Sequence, residues 1–92
     1  AGTTLNIGLV YLRLGHLDSA LVYMSRARKL FRLRRDSVGE AATLREIGSV
    51  HERRDQLDSA LAYFKQALML QRAARDSEGE VGTLVNAAAV YA

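Results

Sequence analysis

Apolar residues recur along this chain at the 3.6-residue spacing of amphipathic helices. The first such stretch follows the i, i+3, i+4, i+7 pattern with Thr4, Ile7, Gly8 and Tyr11. The pattern returns four more times and predicts five helices, at residues 1–14, 17–35, 38–54, 58–75 and 78–92. The residues expected to be buried in the later helices are Ala20, Leu21, Met24, Ala27, Leu30 and Phe31; Leu44, Ile47, Gly48 and His51; Ala60, Leu61, Phe64, Ala67 and Leu68; and Leu84, Ala87, Ala88 and Tyr91.

The helical pattern itself repeats with a period of 40 residues. The stretch Leu-Asp-Ser-Ala-Leu occurs at 17–21 and again at 57–61, and residues 3–42 match residues 43–82 at 19 of 40 positions. A partial third copy covers residues 83–92. A fixed period of this length is typical of a stacked repeat array, which forms a single domain. Because the chain lacks an initial Met and ends within an apolar pattern, we expect it to be a segment of a longer array.

Residue choices at the helix ends predict how the helices begin and stop. Gly15 follows the first helix, where a residue in the left-handed conformation commonly ends a helix. Asp18 is a candidate cap for the second helix, and Asp58 for the fourth. Ser37 followed by Glu40 fits a capping box for the third helix, and the same pair recurs 40 residues later.

Small residues occupy one mid-helix slot in every copy, at Gly8, Gly48 and Ala88. Glycine in a helix interior costs about 1 kcal/mol relative to alanine. Its recurrence at one slot therefore predicts a close contact with the following helix, which presents a flat face of alanines. These are Ala20, Ala27, Ala60 and Ala67. The repeat unit is accordingly an antiparallel helical hairpin.

Composition narrows the class of protein. The 49% hydrophobic and 25% charged fractions are ordinary for a folded domain, and the absence of proline favours helix. Without cysteine, disulfides and thiolate metal sites are excluded. The sequence shows neither a leader nor an apolar run long enough to span a membrane, so cytoplasmic location is the default expectation. The net charge of +3 permits acidic partners without requiring them.

The residues at the repeated slots resemble those of the tetratricopeptide repeat. The resemblance covers essentially the whole chain and rests on the order Ile7-Gly8, Tyr11, Ala20, Met24 and Ala27, repeated as Ile47-Gly48, His51, Ala60, Phe64 and Ala67. The family's usual period is 34 residues, and the 40-residue period here is similar to the lengthened form of Pins-like adaptors and bacterial signalling proteins. The resemblance implies an all-α solenoid of antiparallel hairpins, wound as a right-handed superhelix.

The resemblance also implies a concave groove lined by the first helix of each repeat. The groove would bind a protein or peptide, and the matching positions include Asn6, Leu9, Arg13, Arg45, Ser49, Glu52, Arg53 and Asn86, beside Leu5, Leu12, Glu46, Val85 and Ala89. Asparagines at the slots of Asn6 and Asn86 often bond the backbone of a bound peptide in this family. The three arginines of the groove, Arg13, Arg45 and Arg53, could bind carboxylates of an acidic partner. Alternatively, they pair with neighbouring acidic residues or face water.

Two other functions remain open at this level. Repeat arrays usually need about three units for stability, so two units and one extra helix predict self-association, with copies stacking end to end. A basic stripe of Arg28, Arg32 and Arg35 could follow a phosphate backbone. Nucleic-acid binding is the weaker of the two, since no aromatic residues interleave with the stripe and the second copy is less basic.

Candidate chemistry is otherwise absent from the sequence. His51 is expected to be a packed substitute for Tyr, and neither it nor His16 has a partner at metal-ligand spacing. The repeated Ser19 and Ser59 lack a base or an oxyanion arrangement. We therefore expect neither an enzyme nor a cofactor.

Overall fold

The computed structural model describes residues 1–91 and contains five α-helices in that range. They are α1 (Gly2–Arg13), α2 (Leu17–Leu33), α3 (Ser37–Arg53), α4 (Leu57–Ala73) and α5 (Ser77–Val90). Each expected helix is present, and every boundary within the described residues lies within two residues of its predicted position. The prediction for residue 92 lies outside the described residues.

Four tight turns of one geometry join the helices. In the first, the N–H of Gly15 donates to the carbonyl of Leu12, and that of His16 donates to Tyr11. This pair of bonds is the Schellman motif, which requires a left-handed residue after the helix. Gly15 adopts a φ of +79°, as predicted. The other three turns place non-glycine residues there at φ of 55–60°, namely Arg35, Asp55 and Arg75, a conformation that costs roughly 1–2 kcal/mol per residue.

The predicted caps are wrong in detail. Asp36, rather than Ser37, caps α3 by accepting a 2.9 Å bond from the N–H of Gly39, and Asp76 caps α5 in the same way. Neither α2 nor α4 has a side-chain cap. Asp18 lies in the first turn of α2, where its charge complements the positive end of the helix dipole, and it pairs with Arg54. Because the cap lies one residue earlier than predicted, Gly39 takes the capping-box position that was assigned to Glu40, and the Glu40 side chain is available for another contact.

Close helix packing occurs at the repeated small residue, as predicted. A β-carbon at Gly8 would lie 3.0 Å from Cγ of Met24, and one at Gly48 would lie 2.8 Å from the ring of Phe64. Both glycines are buried, and the four alanines of the flat faces are inaccessible to solvent. The hairpins α1–α2 and α3–α4 therefore close on a glycine in the first helix and a large side chain in the second.

Burial departs from the predicted stripes at the two ends of the array. Ile7 is 39% exposed, while Leu12, which the resemblance assigned to the groove, lies in the core. In α5, Leu84 is 44% exposed, and Thr83 is buried instead. Also exposed, contrary to prediction, are Leu30, Ala88 and Tyr91. Most of these departures lie in α1 and α5, which have fewer packed neighbours among the described residues than α3 has; Leu30 is the exception, since α2 packs against both α1 and α3.

Helix packing follows chain order. Each helix packs against the next, and in addition α1 contacts α3 and α3 contacts α5. Within the described residues, by contrast, no Cα atom of α2 lies within 8 Å of one of α4. The odd-numbered helices thus lie on the inner, closely spaced side of the array and the even-numbered helices on the outer side. The all-α repeat architecture expected from the sequence is confirmed, in a body 31 × 30 × 17 Å.

Candidate protein-binding surface

The residues predicted for the groove all lie on the inner helices α1, α3 and α5. Asn6, Arg13 and Arg53 are exposed, and the remaining five are half-buried: Leu9, Arg45, Ser49, Glu52 and Asn86. Leu9 packs against the hydrophobic core cluster that contains Leu12. The polar members therefore form the accessible part of this surface, which we call the inner surface.

Arg45 lies where α3 meets α5. Its Nη1 would be 2.6 Å from a β-carbon at Gly82, so the guanidinium group occupies the space that this glycine leaves open. Nη2 donates a 3.2 Å bond to the carboxylate of Glu46, whereas Nε is buried without a hydrogen-bond partner among the described residues. The hydroxyl of Ser49 is used locally, donating to the backbone carbonyl of Arg45 at 3.3 Å. Arg45 thus keeps an incompletely satisfied guanidinium group between two repeats.

The three groove arginines have different surroundings. Nη1 of Arg53 donates a 2.7 Å bond to the backbone carbonyl of Leu12, at the end of α1. That carbonyl also accepts from the N–H of Gly15, so Arg53 uses its second lone pair, and a cation there complements the helix dipole. Arg53 accordingly connects α3 to α1, and Arg45 faces α5. Arg13 is exposed to solvent and makes no ion pair among residues 1–91.

Aromatic stacking supports the first and second hairpins in parallel fashion. The Tyr11 ring stacks on Tyr23 with centroids 5.5 Å apart, and the His51 ring stacks on Tyr63 at 5.2 Å. Nδ1 of His51 is also 2.7 Å from Oε1 of Gln56 in the following turn. His51 therefore takes the packing position of a tyrosine, as the sequence predicted.

The comparison with known families agrees with this architecture. The family profile described as the tetratricopeptide repeat matches residues 1–73, which end with α4. The chain belongs to the tetratricopeptide repeat family. Such repeats are non-catalytic and generally mediate protein–protein interaction. A search of curated proteins finds no match to this chain. In the described part of the chain, no helix has the length and hydropathy needed to cross a membrane.

The basic stripe of the first tetratricopeptide repeat is partly neutralised. Oε2 of Glu40 accepts bonds from Arg32 at 2.9 and 3.1 Å and a longer bond, 3.5 Å, from Nε of Arg28. Glu40 is buried beneath both arginines. Of the three stripe residues, only Arg35 makes no ion pair within residues 1–91. This arrangement weakens the case for the stripe as a track for a phosphate backbone.

Sequence reasoning missed a second recess on the opposite side of the array. Because α2 and α4 stand apart, a cleft remains between them, floored by α3. Arg28 crosses it and donates a 3.4 Å bond to Gln66 of α4. We call this recess the outer cleft; its walls include Ser25, Arg28, Lys29 and Arg32 on one side and Tyr63, Gln66, Met69 and Leu70 on the other. The available signal was the difference between repeats, since Arg28 and Lys29 become Leu68 and Met69.

Proposed function

We propose that this chain is a protein-interaction scaffold that holds a segment of a partner protein against the inner surface. The observation that carries the proposal is the packing of α1, α3 and α5 on the closely spaced side of the array. Three helices from three repeats thereby contribute polar side chains to one continuous face. A segment lying across them would contact every repeat at once.

The chemistry of the inner surface favours a partner with carboxylate groups. Arg45 and Arg13 are cationic, while Asn6 and Asn86 offer amide groups to a peptide backbone. The bond from Arg45 to Glu46 joins adjacent residues of one helix. A partner carboxylate would supply charge-assisted hydrogen bonds to the same guanidinium group, and paired bonds of this kind are among the stronger polar contacts.

Selection of peptides from an unbiased displayed library, followed by titration calorimetry, tests this function. We expect the selected peptides to be acidic and to lose about tenfold or more in affinity when Arg45→Ala is introduced, the loss of one charge-assisted contact. Arg34→Ala is the matched control, because Arg34 is exposed at the end of α2 and away from the inner helices. Equal affinities for the two variants would remove Arg45, and with it the inner surface, from the binding site.

Self-association is the second candidate, and one observation favours it. Both ends of the array carry apolar residues whose counterparts in α3 are buried. Ile7 and Val10 of α1 are exposed where Ile47 and Val50 are not. At the other end, Val81 and Leu84 of α5 are exposed where Ala41 and Leu44 are buried. Stacking the end of one copy on the beginning of the next would cover both faces, and such a head-to-tail contact can extend into longer assemblies.

Light scattering across a wide concentration range tests the stacking. We expect the average mass to rise with concentration for the unchanged chain and to remain that of a monomer for Val81→Glu. The exposed Leu33→Glu, on α2 outside both end faces, supplies the control. A monomer at every concentration for the unchanged chain would exclude self-association and would leave the inner-surface proposal untouched.

A further inference from the structure

The outer cleft contains two adjoining cavities of about 320 and 380 Å³. Arg28 and Arg32 line both of them, since the Arg28 side chain reaches across from α2 to Gln66. The floor consists of α3 residues, with Ile47 in one cavity and Leu44 beside Glu40 in the other. The recess therefore combines cationic groups with apolar surface in one place.

The cations exceed what the structure needs for its own ion pair. Arg32 bonds Glu40, and the equivalent pair in the second repeat, Arg72 with Glu80 at 3.0 Å, recurs in the same geometry. That recurrence indicates a structural role for this pair. Arg28 and Lys29 are additional. Three cations against one carboxylate leave the charged lining with a net charge of +2 (3 − 1).

Arg28 and Lys29 are incompletely used by the protein itself. Arg28 makes only long contacts, 3.5 Å to Glu40 and 3.4 Å to Gln66. Lys29 makes no ion pair among residues 1–91 and lies exposed at the rim. A ligand carboxylate would therefore meet two cations without displacing the Arg32–Glu40 pair.

The wall formed by α4 supplies the apolar half of the site. Met69 is 72% exposed and stands beside Leu70 at the cavity that holds Glu40. Methionine is flexible and polarisable, which suits it to adaptable binding surfaces. A phosphate backbone would have no use for this wall, whereas a protein side chain gains free energy by covering it.

We propose that the outer cleft binds a segment of a partner protein in which an acidic side chain lies beside a large apolar side chain. The acidic group contacts Arg28 and Lys29, and the apolar group covers Met69. The site is separate from the inner surface, so the array has two faces for partners. The two cations occur only in the first repeat, because the second repeat has Leu68 and Met69 at their positions.

Short synthetic peptides and NMR of the labelled protein test the site. Each peptide of the first set contains one Glu and one Leu, and the number of residues between them varies from peptide to peptide up to one helical turn. A second set has Gln in place of Glu. We expect the Glu peptides to shift the signals of Arg28, Met69 and Tyr63 and to bind about tenfold more tightly than the Gln set. Shifts confined to α1, α3 and α5 residues of the inner surface, or equal binding by both sets, would overturn the proposal.

The second repeat suggests the matched variant. Arg28→Leu with Lys29→Met gives the first repeat the residues of the second, which the same helix position already accommodates. We expect this variant to lose the preference for Glu peptides over Gln peptides. The control Arg34→Gln with Lys65→Gln also removes two positive charges, but outside the cleft, and should retain the preference. Circular dichroism establishes that both variants fold.

Further measurements separate this proposal from its competitors. If the double variant fails to fold, Met69→Ser changes only an exposed side chain and should weaken the binding of both peptide sets, because both contain the Leu that covers Met69. Arg45→Ala should leave them unaffected, which distinguishes this site from the inner surface. Binding of a single-stranded oligonucleotide at low salt, with the steep loss on adding salt that phosphate contacts produce and with displacement of the peptides, would assign the cleft to nucleic acid and overturn the proposal.

Discussion

Helices α3 and α5 occupy the same position in successive repeats but differ sharply in burial. Leu44 of α3 is 1% exposed, whereas its counterpart Leu84 in α5 is 44% exposed. Ala41 is fully buried, and its counterpart Val81 is 60% exposed. The difference arises because α4 covers α3, while the described residues contain no helix that covers the same face of α5.

The comparison separates what a repeat determines alone from what its neighbours determine. The N-terminal cap and the turn that precedes the helix depend on local sequence, and they agree between α3 and α5. Burial depends on the next helix, because each unit of such an array contacts only its neighbours. Full burial of a leucine side chain is worth about 1.5–3 kcal/mol, so α5 lacks a stabilising contribution that α3 has.

The largest difference between α3 and α5 is expected when the equivalent leucines are truncated to alanine. Leu44→Ala should lower the free energy of unfolding by about 2–5 kcal/mol, the range for a buried leucine. Leu84→Ala should lower it by less than about 1 kcal/mol, since an exposed side chain loses little. Urea denaturation of dilute samples measures both. Equal losses would mean that the outer face of α5 is covered in solution.

The small-residue slot gives the next largest effect. In Gly48→Ala, the new methyl group meets the Phe64 ring, and overpacking of about 1–3 kcal/mol outweighs the gain of about 1 kcal/mol in helix propensity. Ala88→Gly in α5 should lose only the propensity, about 1 kcal/mol. Thermal unfolding followed by circular dichroism reads both changes. A higher midpoint for Gly48→Ala would show that Phe64 repacks freely.

Capping should be equal in the two helices, because it is local. Asp36→Ala and Asp76→Ala should each lower the free energy of unfolding by about 0.5–2 kcal/mol. Asp18→Ala is the matched control, with less than about 0.5 kcal/mol expected, because its ion pair is at the surface. Denaturant midpoints compare all three. A control as destabilising as the caps would indicate that Asp18 contributes to the start of α2 after all.

The smallest expected difference concerns the two glutamates. Glu40→Gln should lower the free energy of unfolding by about 1 kcal/mol, since two arginines lose their charged acceptor in a buried setting. Glu80→Gln should lower it by about 0.5 kcal/mol or less, because its pair with Arg72 is more exposed. Repeating the measurement in high salt should abolish the Glu80 effect first. A larger loss for Glu80 would contradict the burial contrast.

The fold could be predicted from the sequence because periodicity and repetition reinforce each other. Five helices, the close glycine contact at Gly48 and the stacking role of His51 all depend on local spacing, and the structure contains them. Caps were misplaced because Asp36 and Ser37 are both good capping residues, and spacing alone did not choose between them. The prediction that Ile7 and Leu84 are buried was wrong, because an apolar stripe shows which face of a helix can be buried and does not show whether a neighbouring helix covers that face.

The candidate sites were less predictable for a different reason. Positions on the inner helices followed from the family pattern, but contacts made by long side chains did not. Arg53 bonds the backbone of Leu12, and Arg28 reaches Gln66 across a gap of 38 residues in sequence. Such contacts depend on the distance between repeats, which no local pattern encodes.

The four equivalent turns make the length of this array adjustable. Helices α2 to α5 begin at residues 17, 37, 57 and 77, and both the second and the fourth turns contain Arg-Asp-Ser, at 35–37 and 75–77. Inserting a second copy of residues 36–75 would create a junction with those same three residues, so the inserted hairpin would be connected by a turn that the chain already contains. Each insertion would add one hairpin and a further copy of the Phe64 contact with Gly48. The length of the array can therefore increase in steps of one hairpin, while every turn between helices keeps a sequence that the chain already contains.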